Sequence, residues 1–174
     1  IDATQDVTKV DKQLAETVRE NYKPVIIALN KMDMVPEKVD EDYVDYLWWE
    51  MPGLRFAPLA FLSAKTGNNV IPTLEVAREL FHQAGVRVKT SDMNDAMGDI
   101  TSKRPPPSKS TRPAKVLYAT QIETHPPTVA LFVNNAARVT DEYKRYVVGE
   151  LQERYGFSNV PVKIVVRRPK KEDK

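Results

Sequence analysis

The sequence predicts two tandem units, an α/β unit with a parallel sheet followed by a smaller α+β sandwich. Two apolar runs without alternation, Val25–Leu29 and Pro58–Leu62, lie between helical patterns, which is typical of strands buried on both faces of a doubly wound sheet. Residues 101–114, with three consecutive prolines and several basic residues, interrupt this pattern. Beyond them the order is strand, strand, helix and strand, so the second unit belongs to a different class.

Helical periodicity surrounds the two apolar runs of the first unit. Residues 11–21 and 37–51 are predicted helices, the second rich in acidic residues at its start and stopped by Pro52-Gly53. A third predicted helix carries an apolar stripe along one side. The stripe consists of Val70, Leu74, Ala77 and Phe81.

The second unit begins with a short helix that Thr90-Ser91 is predicted to cap. Residues 101–114 are then interpreted as a linker or an exposed connection inside this unit. The later elements are strands 116–120 and 129–133, a helix from Thr140 to Tyr155 ended by Gly156, and a last strand 162–166. We therefore predict domains at 1–86 and 87–174, the second including the Pro-rich basic connection.

Composition narrows the class of protein. The chain has no cysteine, no apolar run long enough to span a membrane and no secretory signal, which predicts a cytoplasmic protein. Residues 1–102 carry 11 Lys/Arg against 17 Asp/Glu, whereas residues 103–174 carry 15 against 7. The basic second part favours contact with a polyanion. His82 and His125 are isolated, so no metal site is expected from them.

Polar loops follow both predicted strands, at the strand ends where open α/β sheets bind ligands. The first loop is Asn30-Lys31-Met32-Asp33 and the second is Ser63-Ala64-Lys65. Either loop alone could be an ordinary turn, but the pair resembles the two base-recognition loops of GTPases. A carboxylate such as that of Asp33 can accept both adjacent N–H donors of guanine, whereas adenine offers no such pair.

The resemblance to GTPases assigns a role to each loop residue. Asn30 would brace the loops, Lys31 would lie along the base, and the Ala64 N–H would donate to the guanine carbonyl oxygen. Lys65 would flank the base, and the Ser63 hydroxyl would stabilise its loop. Neither the phosphate-binding pattern G-x-x-x-x-G-K-[ST] nor a D-x-x-G before the first helix occurs. We therefore expect a fragment that does not hydrolyse GTP alone, with an unpaired edge on the first strand.

Further motifs resemble the Der (EngA) family of bacterial GTPases, which have two tandem G domains and a C-terminal KH-like domain. The matching segments are Asp2-Ala3-Thr4 with Thr8 and Asp11, Pro105-Pro106-Pro107, Leu117-Tyr118-Ala119-Thr120-Gln121, Pro126-Pro127-Thr128, Leu131-Phe132-Val133-Asn134 and Tyr155-Gly156-Phe157. The resemblance implies the C-terminal half of a P-loop-type GTPase doubly wound sheet followed by a KH-like α/β sandwich. It also implies GTP/GDP binding, with Mg²⁺ held by parts of the complete protein absent from this chain.

The same resemblance implies a role in assembly of the large (50S) ribosomal subunit, with the subunit or its precursor, rRNA and the protein's own G domains as partners. No G-x-x-G occurs in 115–174, so the usual KH clamp on nucleotides is missing. The candidate RNA contacts, which could equally serve surface solubility, are Lys144, Arg145, Arg154, Lys163, Arg167 and Arg168. The aromatic residues of this unit are expected to be mostly core rather than base-stacking: Tyr118, Phe132, Tyr143 and Tyr146.

Two other functions remain open at this point. The chain could be a non-catalytic RNA- or protein-interaction module that uses the G-domain part as a platform. Alternatively, the KH-like domain could bind only its own G domains and never touch RNA.

Overall fold

The computed structural model describes residues 1–35, 41–107 and 114–169. The chain forms two compact units, the first comprising Ile1–Ala84 together with Asn159–Pro161, and the second comprising Gly85–Ser158 and the chain from Val162 onward. The predicted domain boundary between residues 86 and 87 stays a prediction.

The first unit alternates helices and strands around a parallel sheet. Its elements are α1 (Lys9–Glu20), β1 (Ile27–Leu29), α2 (Glu41–Glu50), β2 (Leu59–Phe61) and α3 (Val70–Gly85). β1 pairs with β2 in parallel, with Ile27 opposite Leu59 and Leu29 opposite Phe61. The predicted α/β class is confirmed. The predicted start of α2 at residue 37 lies outside the described residues.

The outer edge of β1 is occupied, which corrects the prediction of an unpaired edge. Ile1 and Ala3 flank an isolated parallel bridge between Asp2 and Asn30. Asn30 N donates to Ile1 O at 2.9 Å, and Ala3 N donates to Asn30 O at 2.9 Å. Residues 1–3 form a single bridge rather than a strand, yet their backbone pairs with groups at the outer edge of β1.

α1 starts where its sequence supplies a reciprocal cap. Thr8 Oγ1 accepts from Asp11 N, and the Asp11 carboxylate accepts from Thr8 N at 2.8 Å. This capping box satisfies two of the four N–H groups that a helix start leaves without intrahelical partners.

The apolar stripe of α3 is largely exposed. Leu74 is 61% exposed and Phe81 is 64% exposed, whereas the buried residues of this helix are Leu80 and Ala84. The two paired strands of this unit offer a sheet too narrow to cover the stripe.

The second unit is an α+β sandwich whose order matches the prediction. Its elements are α4 (Thr90–Lys103), β3 (Val116–Glu123), β4 (Thr128–Val133), α5 (Asp141–Tyr155) and β5 (Lys163–Arg167). The sheet order is β3-β4-β5, in which β3 runs antiparallel to β4 and β5 runs parallel to β4. The centre of the sheet lies in β4, where Val129 and Leu131 are fully buried.

Two predictions at the start of this unit are wrong. Lys89 occupies the N-cap position of α4 without a side-chain bond, and Thr90 Oγ1 instead lies 3.0 Å from Thr120 Oγ1. The predicted linker is not wholly exposed, because α4 continues to Lys103 and Pro106 and Ala114 are buried. Residues 108–113 of that connection lie outside the described residues.

α5 begins and ends as predicted. Thr140 Oγ1 accepts from Tyr143 N at 3.2 Å, and Gly156 closes the helix with φ +71°, a left-handed conformation that favours glycine. Val147 and Leu151 are buried along the same face as Tyr143. The expectation that the aromatic residues are mostly core holds fully for Tyr143, but Tyr118 is exposed.

Candidate functional site

The two polar loops lie side by side at the carboxyl ends of β1 and β2. Leu62 N donates to Leu29 O at 2.9 Å, and Met32 N donates to Leu62 O at 3.2 Å, so the backbone pairing continues past the strands. Parallel strands in register place their following loops at one edge of a sheet. The predicted guanine-binding residues of both loops are thereby brought together.

Asn30 joins the two loops through its side-chain oxygen. Asn30 Oδ1 accepts from Lys31 N at 2.8 Å and from Ala64 N at 2.9 Å. One amide oxygen therefore fixes the start of both loops. The Ala64 N–H, which the resemblance assigns to the guanine carbonyl oxygen, is directed at Asn30 in this arrangement.

Asp33 is held as a carboxylate by Ser63. Ser63 Oγ donates to Asp33 Oδ1 at 2.6 Å and accepts from Thr66 N at 3.3 Å. This hydrogen bond, with weaker help from nearby lysines, lowers the pKa of Asp33 below its ordinary value. Lys65 Nζ lies 3.8 Å from Asp33 Oδ2, and the Asp33 side chain remains 17% exposed. The carboxylate is therefore ionised at neutral pH and still reachable.

Lys31 takes a left-handed backbone conformation with φ +69°, which turns the chain after β1. Its Nζ lies 2.6 Å from Asp2 Oδ2, while Thr4 N and Thr4 Oγ1 donate to Asp2 Oδ1 at 3.0 and 2.7 Å. The hydrogen bond from Lys31, followed by those from Thr4, lowers the pKa of Asp2 to about 2. Sequence reasoning missed this ion pair, because its partners lie 29 positions apart.

The donors and acceptors of the site fit a guanine base. Each carboxylate oxygen has two lone pairs, so Asp33 can accept from Ser63 and still receive two N–H groups of the base. With Asn30 Oδ1 accepting two backbone N–H groups, the Asn30 amide NH₂ is the end of that side chain able to donate to a carbonyl oxygen. Within the described residues, no group of three His, Cys, Asp or Glu side chains is placed to hold a metal ion.

Three of the six candidate RNA contacts lie on α5, two lie on β5 and one lies directly after β5. Lys144, Arg145 and Arg154 lie on α5, Lys163 and Arg167 lie at the two ends of β5, and Arg168 follows. Two of the α5 cations are engaged with acids.

The engaged cations are Lys144, which lies 2.9 Å from Asp141, and Arg154, which lies 2.6 Å from Asp99. Ion pairing of this kind leaves less positive charge on that helix for a polyanion. In the part of the chain that the structure describes, no helix is both long and apolar enough to cross a membrane.

Comparison with known proteins identifies the class first. Residues 87–167 match the model of the "KH-domain-like of EngA bacterial GTPase enzymes, C-terminal". The α+β order of the second unit is that of this module, so the chain is an α/β protein ending in a KH-like domain.

Curated relatives cover nearly the whole chain. It is 37% identical over 96% of its length to GTPase Der of Natranaerobius thermophilus, 36% identical over 96% to that of Rhodopirellula baltica, and 34% identical over 97% to that of Gemmatimonas aurantiaca. It spans 38%, 37% and 39% of those proteins, respectively. The chain belongs to the Der (EngA) GTPase family and matches the C-terminal region of its members.

Proposed function

We propose that this chain supplies guanine recognition and a KH-like RNA-contact domain to a GTP-binding protein that acts in assembly of the bacterial large ribosomal subunit. The observation that carries the proposal is the network of Asn30, Asp33, Ser63 and Ala64 at the ends of two parallel strands. The relatives named GTPase Der support the nucleotide class.

Guanine selectivity follows from the charge and hydrogen-bond pattern of the loops. The Asp33 carboxylate accepts the ring N–H and the exocyclic amine, a charge-assisted pair. Adenine presents no adjacent pair of donors and would leave this carboxylate unsatisfied. Lys31 and Lys65 flank the base in this proposal, and the amide NH₂ of Asn30 serves its carbonyl oxygen.

GTP hydrolysis is proposed for the complete protein rather than for these 174 residues. The phosphate-binding pattern that cradles phosphates and positions Mg²⁺ does not occur in the sequence. The exposed stripe of α3 and the greater length of the relatives support a place within a longer polypeptide. A cytoplasmic location and a ribosomal partner belong to the same proposal.

Guanine recognition is tested by titrating the chain with guanosine diphosphate, adenosine diphosphate and xanthosine diphosphate. Binding is measured from the NMR chemical-shift changes of the Asn30–Asp33 loop. We expect guanine binding only. Asp33→Asn should weaken guanine binding and favour xanthine, because the amide donates an N–H toward the extra carbonyl of xanthine. Asp6→Asn, at an acid outside the two loops, is the matched control. Equal shifts with adenine, or an unchanged preference after Asp33→Asn, would refute the assignment.

The second candidate, a non-catalytic RNA- or protein-interaction module, is favoured by the basic residues 103–174. Co-sedimentation of the chain with 50S subunits or their precursors, with and without guanine nucleotide, separates the two. Nucleotide-dependent association supports the leading proposal. Association that is indifferent to nucleotide, together with no guanine binding, supports the module.

A further inference from the structure

One row of side chains crosses all three strands of the KH-like sheet. Tyr118 on β3 is the in-register partner of Phe132 on β4, and Phe132 is the partner of Arg167 on β5. Partners in register project from the same face of a sheet. The Tyr118 and Phe132 rings stack, with centroids 4.2 Å apart and planes inclined by 13°.

The row is the accessible part of its face of the sheet, since Thr128 and Ala130 on the same face of β4 are buried. Tyr118 is 41% exposed, Phe132 is half-buried and Arg167 is exposed. Val129 and Leu131, whose side chains alternate with that of Phe132, are fully buried. Tyr118 is more exposed than any of these β4 residues, so part of its aromatic surface is available to a planar ligand.

Positive charge accompanies the rings on the same face. Lys163 and Arg167 are opposite Thr128 and Phe132, four residues apart on β4, so both project from the side that carries the rings. Among the described residues no ion pair engages Arg167, whereas Lys144 and Arg154 on α5 are each paired with an acid. Flat aromatic surface beside Arg167, a cation that no ion pair among the described residues engages, suits a base attached to a phosphate backbone.

We propose that Tyr118, Phe132 and Arg167 form a stacking platform for an unpaired nucleobase of single-stranded RNA. Tyr118 provides the ring face, Phe132 supports it from behind, and Arg167 neutralises an adjacent phosphate. The platform rests on the proposed RNA contact of the second unit and states how that contact is made without a G-x-x-G clamp. Stacking tolerates any base, so the platform recognises unpaired strands rather than a sequence.

The experiment compares two labelled RNAs by fluorescence anisotropy with the whole chain: a short oligo-A strand and the same strand with abasic riboses. Both carry the same phosphates, but only the first can stack. Tyr118→Ala removes the ring, Tyr118→Phe keeps it, and Tyr118→Leu keeps apolar volume without an aromatic face. Leu117→Ala, at the exposed residue next to Tyr118, is the matched control. Circular dichroism melting checks that each variant folds.

For oligo-A, Tyr118→Ala and Tyr118→Leu are each expected to weaken binding by about 5- to 150-fold, the range for loss of one stacked base. Abasic RNA should bind these variants as it binds the unmodified chain, and Tyr118→Phe and Leu117→Ala should change neither affinity. Arg167→Ala should weaken the binding of both RNAs and make the affinity less dependent on salt concentration.

Three results would overturn the platform. Equal loss for both RNAs, or no loss for either, would show that the ring does not stack a base while leaving RNA binding intact. Failure of the unmodified chain to bind oligo-A at low salt would overturn both the platform and the RNA part of the proposed function.

Discussion

The hydroxyl of Tyr143 provides a sharp test of how the KH-like core is stabilised. This residue is 1% exposed, and no hydrogen-bond partner for its hydroxyl lies in the described part of the chain. Desolvation, with a smaller contribution from the neighbouring Tyr146, raises the pKa of Tyr143 to about 12. Tyr143→Phe removes the unsatisfied oxygen and leaves the ring in place.

The expected magnitude has two parts. A buried polar group without a partner costs about 1–3 kcal/mol. The void left behind is at most about the ~30 Å³ of one water, which at ~24 cal/mol per Å³ costs about 0.7 kcal/mol. Tyr143→Phe should therefore stabilise the second unit by roughly 0.3–2.3 kcal/mol, and each kcal/mol should raise its melting temperature by about 4–8 °C.

The assay is hydrogen exchange of the backbone amides of β4 and α5, since a chain with two compact units need not unfold in one step. The matched control is Tyr146→Phe. The Tyr146 hydroxyl donates to Ile100 O at 3.2 Å, so its loss should destabilise the unit by about 0.5–1.5 kcal/mol. The same chemical change thus has opposite signs at two positions one helical turn apart.

The pH dependence provides a second readout of the same residue. The pKa of Tyr143 is raised from 10 in the unfolded chain to about 12 in the folded unit, so ionisation has no effect on stability well below pH 10. As the pH rises from 10 toward 12, the unfolded state loses the proton first and the free energy of unfolding falls. Tyr143→Phe should flatten this loss. Destabilisation by Tyr143→Phe would show that the hydroxyl has a partner, and an unchanged alkaline slope would show that its pKa is not raised. Either result would refute the reasoning.

Three further predictions concern local interactions. Lys31→Met should raise the pKa of Asp2 from about 2 toward 3.8, as measured by NMR titration of the Asp2 carboxyl. Because the folded pKa of Asp2 is lowered, its contact with Lys31 is fully stabilising above pH 3.8 and is lost as the pH falls toward 2. An unchanged titration midpoint of Asp2 would contradict the ion pair. Thr8→Ala should destabilise α1 by about 0.5–2 kcal/mol, read from exchange of its first-turn amides, while Thr8→Ser should not. Gly156→Ala should lower the free energy of unfolding in urea by about 1–2 kcal/mol, because the backbone at this position has φ +71°. Gly149→Ala should raise the free energy of unfolding by about 0.5–1 kcal/mol, because Gly149 lies within a helix and nothing among the described residues lies within contact of the added carbon.

The sequence predicted the elements of both units because their signals are local. A continuous apolar run between polar loops identified β1 and β2, although each observed strand is two residues shorter than its run. Thr140 and Gly156 marked the ends of α5 by their own cap chemistry. Signals of this kind need no knowledge of distant residues.

Features that depend on distant residues were not predictable from the sequence. The partners Lys31 and Asp2 are 29 positions apart, and no periodicity relates them. Periodicity predicted the apolar stripe of α3 but not its exposure, since exposure depends on what packs against the helix. Tyr118 was expected in the core because alternation along a strand does not tell which sheet face is covered.

The pairing of β4 sets an order in which the KH-like sheet can form. β3 and β4 are joined by residues 124–127 alone, so their contacts close a short loop. β5 pairs with β4 through Thr128 and Lys163, which are 35 positions apart with α5 between them. Short loops close at lower entropic cost, so we expect the β3–β4 hairpin to form first and β5 to join last. The aromatic half of the row is then assembled before the strand that carries its charge, and during synthesis on the ribosome the rings are exposed while Arg167 is still to be made.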